Sequence, residues 1–161
     1  MLISKDDLSS QARVWIYQAD RVLTAAETTA IREQLHRFAQ QWTTHGTPVP
    51  AFADIYYNAF IVLLADIPPS GCSIDSSVHL LKEIEQQYQI SLFNRLLTAY
   101  FDGAHLCIAH PKDLKEALQN GQITLQTPIF NHLVQTRSEW ETKWQMPIAQ
   151  SWLASQVGGK Q

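Results

Sequence analysis

Residues Phe52-Ala53-Asp54-Ile55-Tyr56-Tyr57 and Phe60-Ile61-Val62-Leu63-Leu64-Ala65-Asp66 are two strand-like runs that stand either side of Asn58-Ala59. Aromatic and β-branched residues fit a pleated surface, and Asn58 suits the turn or bulge that folds one run back on the other. This hairpin decides the fold, because it sits between two helical patterns. Upstream, Thr24 stands three residues before Glu27, the spacing of a capping box, and Ile31, Leu35, Phe38 and Trp42 follow at intervals of three or four. That helix stops near Thr43, where Thr44-His45-Gly46-Thr47-Pro48 offers a glycine for a left-handed cap and a proline beyond it. Before it, Arg13-Val14-Trp15-Ile16-Tyr17 reads as the first strand.

Downstream, Pro68-Pro69-Ser70-Gly71 leads into a second helix, with Ser73 or Asp75 as its cap and Ile74, Val78, Leu81, Ile84 and Tyr88 on one stripe. It ends near Gln89. Arg95 to Phe101 reads as a strand, Asp102-Gly103 as a hairpin turn, and His105 to Ala109 as the returning strand. Pro111 to Leu118 forms a short helix closed by Asn120-Gly121, Ile123-Thr124-Leu125 adds a strand, and Glu139 to Lys143 lies on a helix before Pro147. The order is βαββαβ. It predicts an α+β, ferredoxin-like sandwich with a β-hairpin extension and a helical C-terminal addition. All 161 residues form a single domain with an ordered core over about 12–153 and loose tails at 1–11 and 158–161.

Composition narrows the function. Hydrophobic residues make up 45% and charged residues 17%, with a net charge of −3, which is a globular rather than a disordered balance. The chain has no basic stripe to release counterions, so nucleic acid is not an expected partner. Ala59 to Ala65, the longest apolar run, is far below the roughly 20 residues that span a bilayer, and Lys5-Asp6-Asp7 does not resemble a signal peptide. A cytoplasmic protein without a membrane partner is expected. Cys72 and Cys107 are too few for a disulfide framework and read as free thiols. The glycines never form a dinucleotide fingerprint, and the single Gly159-Lys160 pair lacks the rest of a phosphate loop. An ATPase is therefore not expected, and no cofactor or metal is. His105 and Cys107 share a strand face with His110 nearby, which is a weak metal signal.

The segment Ser70-Gly71-Cys72-Ser73-Ile74-Asp75-Ser76-Ser77-Val78-His79 carries the chemistry that sequence alone suggests. A helix N-terminus favours anions and stabilises a thiolate. Cys72 would be the nucleophile, His79 its base and Asp75 the orienting group, since Asp75 and His79 are one turn apart. Without a nucleophile, the same helix start would hold an anion on its backbone amides, with Ser70, Gly71, Ser73, Ser76 and Ser77 around it and His45 as a neighbour. The bland reading is a buried cysteine, an ordinary cap and a solvated histidine. For His45 the corresponding reading is a helix C-cap. Trp140 and Trp144, at i and i+4, make one helix face, which would be a self-association surface if the sheet left it uncovered.

Val14-Trp15-Ile16-Tyr17-Gln18, Trp42-Thr43-Thr44-His45-Gly46, the Ser70–His79 string, Phe130-Asn131 and Ser151-Trp152 together resemble an uncharacterised bacterial family whose members are often labelled "ABC transporter ATPase". The resemblance runs over residues 12–153 and implies no activity, substrate or cofactor. The label conflicts with the missing phosphate loop. Where that family carries a histidine after Ser-Trp, this chain has Leu153. The leading expectation is a module that binds a small molecule or anion at residues 70–79. A cysteine-dependent enzyme or thiol redox sensor is one alternative, and an assembly protein, such as a homodimer, is the other.

Overall fold

The computed structural model describes residues 1–66 and 71–157. Strand β1 (Arg13–Gln18) leads to helix α1 (Ala25–Gln41), then to the short pair β2 (Thr43–Thr44) and β3 (Thr47–Pro48), and on to the hairpin β4 (Ala51–Tyr56) and β5 (Phe60–Ala65). Helix α2 (Gly71–Tyr88) follows, with the hairpin β6 (Thr98–Asp102) and β7 (His105–Ala109) and helix α3 (Pro111–Gln119) after it. Strands β8 (Pro128–Phe130) and β9 (Gln145–Pro147) flank α4 (Arg137–Lys143), and α5 (Ala154–Val157) is the last described element. The molecule is mixed helix and antiparallel strand, an α+β fold.

The main sheet has the order β1-β5-β4, with both pairs antiparallel. A helix that joins β1 to the far strand across an intervening one is the first half of the expected topology. The second half departs from it. Strand β6 pairs with β7 and not with β1, so β1 is an edge strand of the main sheet. In the place of a full closing strand, residues 135–137 touch only the start of β1. Val14 N–H donates to Gln135 C=O at 3.0 Å, and Arg137 N–H to Ala12 C=O at 2.8 Å.

The centre strand β5 is buried from Phe60 to Ala65 because both faces of the sheet are covered. On one face, Ile61, Leu63 and Ala65 meet Ile31, Leu35 and Ala39 of α1 and Leu81 and Ile84 of α2. On the other, Phe60, Val62 and Leu64 meet Phe130, Trp140 and Trp144. The stripe of α1 and its capping box are as expected: Glu27 N–H donates to Thr24 Oγ1, and Thr24 N–H to Glu27 Oε1. Arg21 grips the Glu27 carboxylate with both Nη1 and Nη2 and donates to Tyr88 C=O at 2.8 Å, so the start of α1 is tied to the end of α2. The Arg21 hydrogen bonds are the main reason that the Glu27 carboxyl is held down to about 2.

Several expectations are corrected. Residues 1–11 do not hang free, since the Met1 amino group donates to Ala39 and Val49 C=O and Ile3 N–H donates to Ala51 C=O. His45 and Gly46 are not a helix cap but the turn of the β2–β3 hairpin, both at positive φ (50° and 79°). The β6–β7 turn is Gly103-Ala104, one residue later than expected, because Asp102 already pairs with His105. Residues 123–125 form no strand, and Ile123 instead buries its side chain beside α3. Trp140 and Trp144 are packed on the sheet, 5% and 8% exposed, which removes them as a self-association face. Phe130 lies 4.5 Å from Phe60 and 4.9 Å from Trp144 between ring centres. Phe130→Ala should therefore cost about 3–5 kcal/mol of stability in urea unfolding, against at most about 0.5 kcal/mol for a surface control such as Gln126→Ala.

Candidate functional site

Helix α2 starts at Gly71, so Ser73 lies inside its first turn and Asp75 just beyond it, and neither is the cap. Cys72 is exposed. Cys72, Asp75, Ser76 and His79 do come together, along an open groove that also includes Phe38, Leu80 and Glu83. They do not form a relay. His79 Nε2 lies 3.2 Å from Glu83 Oε1, one turn onward, and that contact rather than one with Asp75 orients the ring. Among the described residues the Cys72 thiol has no hydrogen-bond partner. The three serine hydroxyls donate to carbonyls: Ser73 to Thr43, Ser76 to Cys72 and Ser77 to Ile74. Trp42 Nε1–H donates to Ser73 C=O, which fastens the β2–β3 hairpin to the helix start. His45 sits exposed at the tip of that hairpin and is not among the groove's lining residues. Ser70 lies outside the described residues.

A second cavity, which sequence reasoning missed, is more enclosed. It measures about 210 Å³ and opens along β1, lined by Val14 to Gln18 on one side and by Leu92 to Arg95, Leu97 and Thr98 on another. Phe130, His132, Leu133 and Trp152 complete it. Three of the stretches quoted above, Val14–Gln18, Phe130-Asn131 and Ser151-Trp152, thus contribute to one place. Alternate residues of a strand face opposite sides of its sheet. Consecutive residues from Val14 to Gln18 can line one cavity only if the cavity looks at β1 from its open edge.

Each wall is pinned. Segment 90–98 is held by Asp20 Oδ1, which accepts from Ser91 N–H at 2.9 Å, and by Glu85 Oε2, which accepts from Leu92 N–H at 2.6 Å. Asn94 Oδ1 accepts from Leu96 N–H and Asn94 C=O from Leu97 N–H, which turns the chain and leaves Arg95 at the tip. Arg95 is exposed and has no ion-pair partner among the described residues. On the other side, Asn131 Oδ1 accepts from Leu133 N–H, so this asparagine shapes the turn that presents His132.

The floor is a chain of buried hydrogen bonds. Gln18 Nε2–H donates to Thr98 C=O at 2.8 Å, and Thr98 Oγ1–H donates to Phe130 C=O at 2.7 Å. Gln18 Oε1 lies 2.7 Å from His132 Nε2, and Trp144 Nε1–H donates to His132 Nδ1 at 3.3 Å. Tryptophan indole is a donor only, so Nδ1 accepts and Nε2 carries the proton. Both ring nitrogens are engaged in hydrogen bonds, and burial pushes the imidazole down to about 4. The ring is thus a neutral wall with both nitrogens committed, not a base. Burial also raises the Tyr17 phenol, partly offset by the Arg95 charge.

No family model matches the chain, and no curated protein or solved structure matches it either. Among the described residues, no group of three His, Cys, Asp or Glu side chains is placed to hold a metal ion. No helix of the described chain is long and apolar enough to cross a membrane.

The titration of His132 sets a pH dependence. Unfolded, it takes up a proton near 6.5, whereas in the fold it stays neutral to about pH 4. The unfolded chain binds the extra proton between these values, so the stability that His132 contributes falls as pH drops from 6.5 to about 4 and changes no further below that. The loss is at most about 3 kcal/mol. Urea midpoints at pH 7 and 4.5 should show this drop, and His132→Phe should lower the stability at pH 7 while flattening the dependence.

Proposed function

We propose that the protein is a binding module for a small organic anion with an apolar or aromatic body, held in the cleft along β1. The observation that carries this reading is the lining itself. Aromatic walls (Trp15, Tyr17, Phe93, Phe130, Trp152) and a fixed polar floor surround about 210 Å³, with one unpaired guanidinium, Arg95, and no carboxylate in the lining. A cavity of about 150 Å³ accepts benzene, and drug-sized sites begin near 300 Å³, so the fitting body is one substituted ring or a branched aliphatic chain. Arg95 supplies the charge that would pair with a carboxylate at the mouth. Binding rather than turnover is the reading because His132 has both nitrogens engaged and no other imidazole lines the cleft.

A thiol function at Cys72 is the second reading, favoured by an exposed sulfur in the same groove as Asp75 and His79. The two sites are separate. Titration with benzoate, phenylacetate and indole-3-carboxylate, followed by amide chemical shifts, should move residues of the β1 cleft. Arg95→Ala should weaken the best of them at least tenfold. Maleimide capping of Cys72 should leave that affinity unchanged. Carboxylates that shift only the α2 groove, or shift nothing, would overturn the cleft reading.

A further inference from the structure

The edge of β1 is bare over part of its length, and the bare part is the cleft. In the β1–β5 pair, backbone groups alternate between pointing at β5 and pointing away. Val14 N–H points away, since it donates to Gln135 C=O, whereas Ala19 N–H points back and donates to Ala59 C=O. The even residues are therefore the outward ones. Ile16 presents both N–H and C=O to the cleft, and Gln18 presents its N–H. Among the described residues none of these groups has a hydrogen-bond partner. The segment that covers the start of β1 cannot continue, because Gln135 N–H is taken by Glu139 Oε1 and the chain then turns through Leu133 and His132. At the other end Thr98 C=O is reached by the Gln18 side chain, not by the backbone. An edge with unpaired donors and acceptors between fixed walls is the geometry into which a strand can be added.

We infer that the ligand of the cleft is the C-terminal end of an extended peptide with a bulky apolar last residue, paired through its backbone with Ile16. This deepens the proposed function and rests on it. Charge and size select this occupant. Arg95 at the mouth complements a terminal carboxylate, and 210 Å³ holds one large apolar side chain but not a full strand. The rim adds apolar contact outside the cavity, with Leu96 and Leu133 55% and 64% exposed. A second copy's β1 is the wrong shape, because the walls at 92–98 and 132–133 stop a long edge from lying flat.

The test uses the full chain and a mixture of acetylated tripeptides ending in Phe, Leu, Val or Ile, as free acids and as C-terminal amides. The free acids should shift the Ile16 and Gln18 amide signals and slow their hydrogen exchange at least tenfold. The C-terminal amides, or Arg95→Ala, should weaken binding at least tenfold. N-methylation of the last peptide nitrogen should abolish the Ile16 effect. If benzoate-sized acids occupy the cleft while the peptides leave Ile16 and Gln18 unchanged, the inference fails and the small-anion reading stands. If neither class binds, both fail. If Ile16 and Gln18 become protected with rising protein concentration alone, the occupant is a second copy and the inference is overturned.

Discussion

The arrangement turns on the Gln18 side chain, which hydrogen-bonds Thr98 C=O with its nitrogen and His132 with its oxygen. Gln18 belongs to β1 of the main sheet, whereas Thr98 and His132 belong to the β6 hairpin and the turn after β8. Strand pairing does not join these two halves along the cleft. The amide does so instead, and it is 4% exposed, where an unmatched donor or acceptor costs about 1–3 kcal/mol. Because Gln18 must meet both partners, segment 97–98 and residue 132 are held at a fixed distance from β1. They come close enough to wall a cavity and stay too far apart to close it.

The cleft is what an incomplete sheet leaves behind. A strand running beside β1 would satisfy Ile16 and Gln18 and extend the sheet to four strands. Residues 135–137 do this only at Arg13, because toward Ile16 Gln135 N–H is taken by Glu139 Oε1 and the chain turns at Leu133 and His132, while on the other side Thr136 caps α4 by accepting from Glu139 N–H. The cluster of Phe60, Phe130 and Trp144 fixes where that helix packs. Aromatic packing on one face of the sheet and hydrogen bonding at its edge thus act on the same segment, and the opening along β1 results from both.

What the sequence made legible was local. Thr24 with Glu27 and the Ile31–Leu35 stripe located α1, and the two runs around Asn58 located the central hairpin. The helix containing Cys72 was visible for the same reason, and only its start moved, to Gly71. The β2–β3 hairpin was not legible, because two-residue strands leave no period and His45 is an unusual residue at positive φ. The cleft had no local signature at all. Gln18 and His132 stand 114 positions apart, and nothing about either residue alone tells that its partner is the other. Arg13–Tyr17 reads as a strand, Gln18 as the polar residue that ends it, and His132 has no signal of its own. The residues of the Ser70–His79 string are chemically suggestive side by side, yet the helix turns His79 toward Glu83 and the hydroxyls of Ser73, Ser76 and Ser77 toward carbonyls.

A neutral His132 locked between Gln18 and Trp144 frames the cleft. Long-range proton–nitrogen correlation of the imidazole at pH 5.5 measures this directly. A single neutral tautomer with the proton on Nε2 and an acceptor resonance at Nδ1 is the expected result. An imidazolium at that pH, or a proton on Nδ1, would contradict it, since Trp144 would then have nothing to donate to and the floor of the cleft would lose its frame.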